Sequence, residues 1–111
     1  MIIGVDKENP LLPQELLGKT AILLNVTRAK VLLSYADQLW KELVIINEVY
    51  PEPSADEVKK FSSIGCKLYH IAGIPAFTFP PLSGAYKGYM PCCAAIMEND
   101  EVVNVGLKKL N

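Results

Sequence analysis

The sequence predicts a small α/β protein with a central mixed β-sheet, flanking helices and a C-terminal β-hairpin. Three observations predict it. Two short, nearly unbroken apolar runs are each followed by a helix signal, and the chain closes with two apolar runs joined by a two-residue turn signal. A length of 111 residues fits a single domain spanning 1–111.

Residues 1–18 contain Pro10, Pro13 and Gly18 and no sustained periodicity, so they read as an extended N-terminal arm with a short turn near Leu16 and Leu17. The run Thr20-Ala21-Ile22-Leu23-Leu24-Asn25-Val26 follows Gly18-Lys19. A continuous apolar run bounded by a turn signal suits a strand buried on both faces, as in a sheet covered by helices. Thr27 can cap the next element by accepting from an orphan amide of a first helical turn. Leu32, Tyr35 or Ala36, Leu39 and Leu43 recur at helical spacing, with Leu33 and Trp40 widening the stripe, which predicts an amphipathic helix over about 28–42. Val44 to Val49 is a second strand, and so short a strand–helix–strand path implies a parallel βαβ unit.

Pro51 and Pro53 end that strand, and Ser54-Ala55-Asp56-Glu57 has the form of a capping box. Val58, Phe61 and Ile64 mark the buried face of the helix, and Gly65 supplies its stop. Lys67 to Ile71 is the next extended piece. Residues 72–91 hold four of the eight prolines and three of the seven glycines and read as irregular. Cys93 to Glu98 and Glu101 to Gly106, joined by Asn99-Asp100, read as the hairpin, while Leu107 to Asn111 start a short helix or fray.

Charge narrows the partners. With 11 basic and 12 acidic side chains the net charge is −1, so no long-range field favours a nucleic acid. No uncharged apolar run approaches the ~18 residues that cross a bilayer, and Met1 to Asn9 lack the basic-then-apolar order of a signal peptide. A cytoplasmic protein without a membrane partner is expected. The three cysteines, Cys66, Cys92 and Cys93, are spaced neither as a zinc site nor as a disulfide framework, so no metal and no cofactor is implied.

The order βαβαβ followed by a hairpin, with Pro91 directly before it, resembles the thioredoxin fold. Two stretches are similar to glutathione peroxidases and their peroxiredoxin relatives: Leu17-Gly18-Lys19 through Leu24-Asn25-Val26-Thr27, and Pro81-Leu82-Ser83-Gly84, Ala85-Tyr86-Lys87-Gly88 and Met90-Pro91 with Ile96 to Val103. The match spans about residues 17–107. The resemblance implies that Pro91 is a cis-proline facing the first helix. It also implies a reactive cysteine at the start of that helix, where free amides and the dipole stabilise a thiolate. This chain has Val26-Thr27-Arg28-Ala29-Lys30-Val31 there, with Lys30 where the nucleophile would stand and no cysteine.

Two uses of that corner follow. Cys92, beside Pro91, becomes a candidate thiolate, its pKa lowered by Arg28 and Lys30; equally, Cys92 or Cys93 can be an inert core residue. Alternatively Thr27, Arg28 and Pro91 frame a substrate or anion site with the helix-start amides. Cys66 is expected as a free thiol. His70, the only histidine, is read as the exposed alternate position of a strand rather than a catalytic base. The apolar, irregular stretch within 71–89 is the candidate contact for a protein partner or a homodimer, with Tyr86 and Tyr89 as anchors. The sequence thus supports two functions: a thiol-dependent redox protein using Cys92, or a non-catalytic binding module on the same scaffold.

Overall fold

A computed structural model describes residues 2–6, 8, 10–28, 30–90 and 104–111. Its elements are β1 (Ile22–Asn25), α1 (Val31–Ser34), β2 (Val44–Asn47), α2 (Ala55–Ile64), β3 (Lys67–Pro75), β4 (Tyr89–Met90) and β5 (Gly106–Lys109), with 3-10 turns at Gln14–Leu16, Ala36–Gln38 and Gly84–Tyr86. β1, β2 and β3 lie side by side and parallel. β4 and β5 both pair antiparallel with β3, which makes the five-stranded sheet mixed, as expected.

The helix expected over 28–42 is much shorter. Only Val31–Ser34 is α-helical, a 3-10 turn covers Ala36–Gln38, and Leu39 is extended. The Ser34 hydroxyl donates back to the Val31 carbonyl at 2.6 Å, the local bond by which serine competes with helix propagation. Among the described residues Thr27 caps nothing: its amide and hydroxyl both donate to Asn25 Oδ1 at 3.2 Å, and the residue before α1 is Lys30, without a side-chain cap.

The second helix follows its sequence signals closely. Glu57 N donates to Ser54 Oγ at 3.3 Å while Ser54 N donates to Glu57 Oε2 at 2.8 Å, the reciprocal pair of a capping box. Gly65 ends α2 at φ 93°, a left-handed conformation that glycine adopts without a Cβ penalty. Phe61 of α2, fully buried, belongs to one core cluster with Ile45 of β2 and Leu68 of β3. Leu32, Leu39 and Leu43 complete this core, and Leu12 of the N-terminal arm joins it, its amide held by Gln38 Oε1 at 2.7 Å.

One expectation for β1 is overturned. Its strand is not covered on both faces: Ile22 and Leu24 are 67% and 54% exposed. The order β1-β2-β3 gives the reason. Two successive right-handed crossovers stepping in the same direction put both connecting helices on one side of the sheet. Leu32 of α1 and Phe61 of α2 accordingly share one core.

The region expected to be irregular is partly ordered. β3 runs on through Ala72, Gly73, Ile74 and Pro75, with a register irregularity between Ile71 and Gly73, and Tyr89–Met90 pairs with its end. The last residues neither fray nor form a helix. Gly106–Lys109 is β5, antiparallel to β3, and Asn111 fastens it by accepting from Leu68 N at 2.8 Å and donating to Cys66 O at 2.9 Å. The first arm, the turn and the start of the second arm of the expected hairpin, 93–103, lie outside the described residues. No helix among the described residues is long and apolar enough to cross a membrane.

Candidate functional site

Asn25, Asn47 and His70 sit side by side, because the parallel register pairs Asn25 with Asn47 and Asn47 with His70. In each strand they follow a core position by two residues: Leu23, Ile45 and Leu68 form the preceding row. Three polar side chains therefore occupy the helix-covered face at the carboxyl end of the parallel strands. All three are buried, and His70 is 0% exposed, against the sequence expectation of an exposed position. Alternation along the strand has the expected period but the opposite face, since a polar residue can take a core position when partners satisfy it.

The partners form one chain of hydrogen bonds. Asn25 Nδ2 donates to Asn47 Oδ1 at 2.7 Å and to the Arg28 carbonyl at 2.9 Å. Asn47 Nδ2 donates to the Val49 carbonyl at 2.7 Å and contacts His70 Nδ1 at 3.1 Å. His70 Nε2 contacts the Tyr86 hydroxyl at 2.7 Å, with the rings edge-on at 5.2 Å between centroids. Backbone carbonyls only accept, so the Arg28 and Val49 carbonyls fix both amides with nitrogen toward them. Asn47 Nδ2 then presents its second hydrogen to His70 Nδ1. His70 is left as the neutral tautomer carrying its hydrogen on Nε2, which donates to Tyr86.

The electrostatics agree. Burial lowers the His70 pKa, outweighing the opposing pull of the Glu52 charge, the Asn47 backbone and the Glu48 charge. Burial, with the charge of Glu52 and the neighbouring Tyr50, pushes Tyr86 up to about 12. At neutral pH both groups are uncharged. Glu52 holds the turn that carries Tyr86: its carboxylate accepts the Ala85 amide at 3.1 and 3.0 Å. Gly84 permits that approach, since its φ is +63° and a Cβ there would collide with the Glu52 carboxylate.

Around this core the surface is aromatic. Tyr50, 75% exposed, lies 5.6 Å from Tyr86 between ring centroids. The loop that leaves β3 toward Tyr86 carries Phe77 and Phe79, 93% and 90% exposed. Cis peptide bonds precede Pro51 and Pro80. Tyr50 and Glu52 lie in the loop after β2, on the side of the sheet where open α/β folds bind ligands, outside the carboxyl ends of the parallel strands.

The residues singled out from sequence are placed as follows. Thr27 and Arg28 lie at the exposed end of the polar row, Thr27 through its side chain and Arg28 through its carbonyl. Lys30 is exposed and lines an open cleft of about 540 Å³ between α1 and α2, with Leu33, Asp37, Ser54, Asp56 and Lys60. Pro91, Cys92 and Cys93 lie outside the described residues. Tyr86 takes part in the site, whereas Tyr89 lies under Lys108 Nζ, 4.6 Å from its ring centroid. Cys66 is free, as expected, and buried; its Sγ lies 3.5 Å from the Trp40 carbonyl, and burial raises its pKa. Among the described residues no group of histidine, cysteine and carboxylate side chains could hold a metal ion.

Sequence reasoning missed Asn25, Asn47 and Glu52. The signal available was an asparagine at the end of each apolar run, Ile22-Leu23-Leu24-Asn25 and Val44-Ile45-Ile46-Asn47, which gains meaning only once the strands are aligned. The chain matches no family model, no curated protein and no solved structure.

Proposed function

We propose that this chain is a non-catalytic binding module on a thioredoxin-like scaffold, holding an extended segment of a partner protein on the loop 76–83 and on Tyr50. The observation that carries it is the loop itself: Phe77 and Phe79 are almost fully solvated, while the turn into which the loop runs is tied down through Glu52, Tyr86 and His70. Large apolar side chains presented in water on an anchored loop are the usual mark of a contact surface. The chemistry of the described residues supports the same reading. His70 spends its one lone pair on Asn47, Tyr86 stays protonated, and the Cys66 thiol is buried, so none of the three is a base or nucleophile at neutral pH. The scaffold rests on the sequence resemblance alone, since the described order β1-β2-β3 puts both helices on one side of the sheet.

The test is selection of a random peptide library on the folded chain and on the double variant Phe77→Ser/Phe79→Ser. Enrichment of a common sequence by the native chain, lost in the variant, is expected. Equal enrichment by both proteins, or none by either, refutes the reading.

Thiol-dependent redox chemistry at Cys92 is the second reading. It rests on the sequence resemblance around Pro91, which follows directly on Met90 of β4. Its test is the pH dependence of alkylation developed below.

A further inference from the structure

The hydrogen-bond direction fixed by the strand ends leaves Tyr86 with one unassigned hydrogen. Each link of the row donates toward the next: Asn25 to Asn47, Asn47 to His70, His70 to the tyrosine oxygen. The Tyr86 oxygen is therefore an acceptor toward the protein, and its own O–H must find an acceptor elsewhere. Among the described residues the hydroxyl oxygen meets His70 Nε2, and the Glu52 backbone lowers its pKa as a donor to that oxygen does, so neither takes the hydrogen. The hydroxyl belongs to the ring beside the exposed Tyr50, in the field of the Glu52 carboxylate, and the Glu48 charge acts on the His70 ring next to it.

We propose that Tyr86 is the polar contact of the binding surface and that it donates to an uncharged carbonyl oxygen of the amide class, such as a backbone carbonyl of a bound peptide. Charge complementarity selects that class. A carboxylate or phosphate would have to approach Glu52 and Glu48, and like charges so placed cost binding, whereas an amide carbonyl accepts a hydrogen bond without net charge. Tyr50 supplies a flat apolar wall beside the donor, and aromatic groups of this kind are favoured at contact sites because one part is apolar and the other wet. The inference rests on the binding-module reading and names the chemistry that module recognises. It also gives the buried asparagines a role, since Asn25 and Asn47 are positioning residues that hold the donor direction of His70.

His70 is the only histidine, so its ring signals report on this site alone. The experiment is a chemical-shift titration of the His70 ring in the full chain with two probes of similar shape, N-methylbenzamide and benzoate. N-methylbenzamide is expected to give a saturable shift and to bind at least tenfold more tightly than benzoate. Tyr86→Phe is expected to weaken the amide at least tenfold. If Tyr86→Phe does not fold, Asn47→Asp serves instead, titrated at a pH above its own His70 midpoint: an acceptor beside Nδ1 moves the neutral ring's hydrogen there, Nε2 then accepts from Tyr86, and the amide probe again weakens at least tenfold. Benzoate binding as tightly as the amide overturns the proposal. So does an amide affinity unchanged in either variant, or the absence of a saturable amide shift in the native chain. Failure of the peptide selection with the amide titration intact sinks the loop reading and not this one. Retained peptide enrichment with no amide binding does the reverse.

Discussion

A buried neutral histidine makes stability depend on pH in a direction the structure fixes. His70 is wholly buried, and Asn47 already donates to its Nδ1, so protonation there would set one N–H against another. Burial accordingly holds its pKa below the usual value. In the unfolded chain the imidazole titrates near ~6.5. As pH falls through that value the unfolded state takes up a proton that the folded state refuses, and the balance moves toward unfolding. The loss begins near the unfolded pKa and levels off below the folded one, where both states carry the proton. For a fold that keeps the ring neutral at pH 5.5, protonation of the unfolded chain costs about 1.4 kcal/mol. Two measurements check this. Titration of the single histidine by NMR should give a midpoint below 6.5 with the hydrogen on Nε2 in the neutral form. Urea unfolding at pH 7.5 and 5.5 should show a loss of up to about 1.4 kcal/mol in the native chain beyond that in His70→Gln. Subtracting the variant removes the carboxylates from the comparison. A midpoint at or above 6.5, or the same pH dependence in both proteins, would refute the reasoning.

Four other outcomes are expected. Asn47→Asp replaces a donor to Nδ1 with a charged acceptor, so the His70 midpoint should rise above that of the native chain and the neutral-form hydrogen should move to Nδ1; an unchanged tautomer would show that Asn47 does not set it. Phe61→Ala removes the largest fully buried side chain among the described residues and should cost about 3–5 kcal/mol in urea unfolding, and a cost under about 1 kcal/mol would contradict its central place. Ser54→Ala breaks one half of the capping box at the start of α2 and should cost about 1 kcal/mol by the same assay. In alkylation followed by peptide mass spectrometry, Cys66 should react more slowly than a free thiol at each pH because burial disfavours its thiolate. On the redox reading Cys92 reacts fast with an apparent pKa well below ~8.5; equal, slow reaction of all three thiols refutes that reading.

Local chemistry wrote the parts of this protein that the sequence shows plainly. Ser54 to Glu57 and Gly65 delimit α2 because a cap needs only residues three apart and a left-handed stop needs only a glycine. The apolar runs at β1 and β2 declare strands, and the short path between them declares parallel pairing. Residues 28–42 show where such reading stops. Their stripe of Leu32, Leu39 and Leu43 is real, and all three reach the core, yet a serine back-bond and a 3-10 turn deliver them there without a continuous helix.

Tertiary structure alone decided the site. An asparagine at the end of an apolar run carries no functional signal until strand register sets it beside another asparagine and then beside His70. The face that His70 occupies follows from both helices lying on one side of the sheet, which is a property of strand order rather than of alternation in Leu68 to Ile71. Residues 52 and 86, thirty-four positions apart in sequence, meet there only because the chain returns to the carboxyl ends of the strands. Periods and caps are legible in the sequence because they act over one or two turns; register and strand order act across the whole sheet, and they gave Tyr86 its partner.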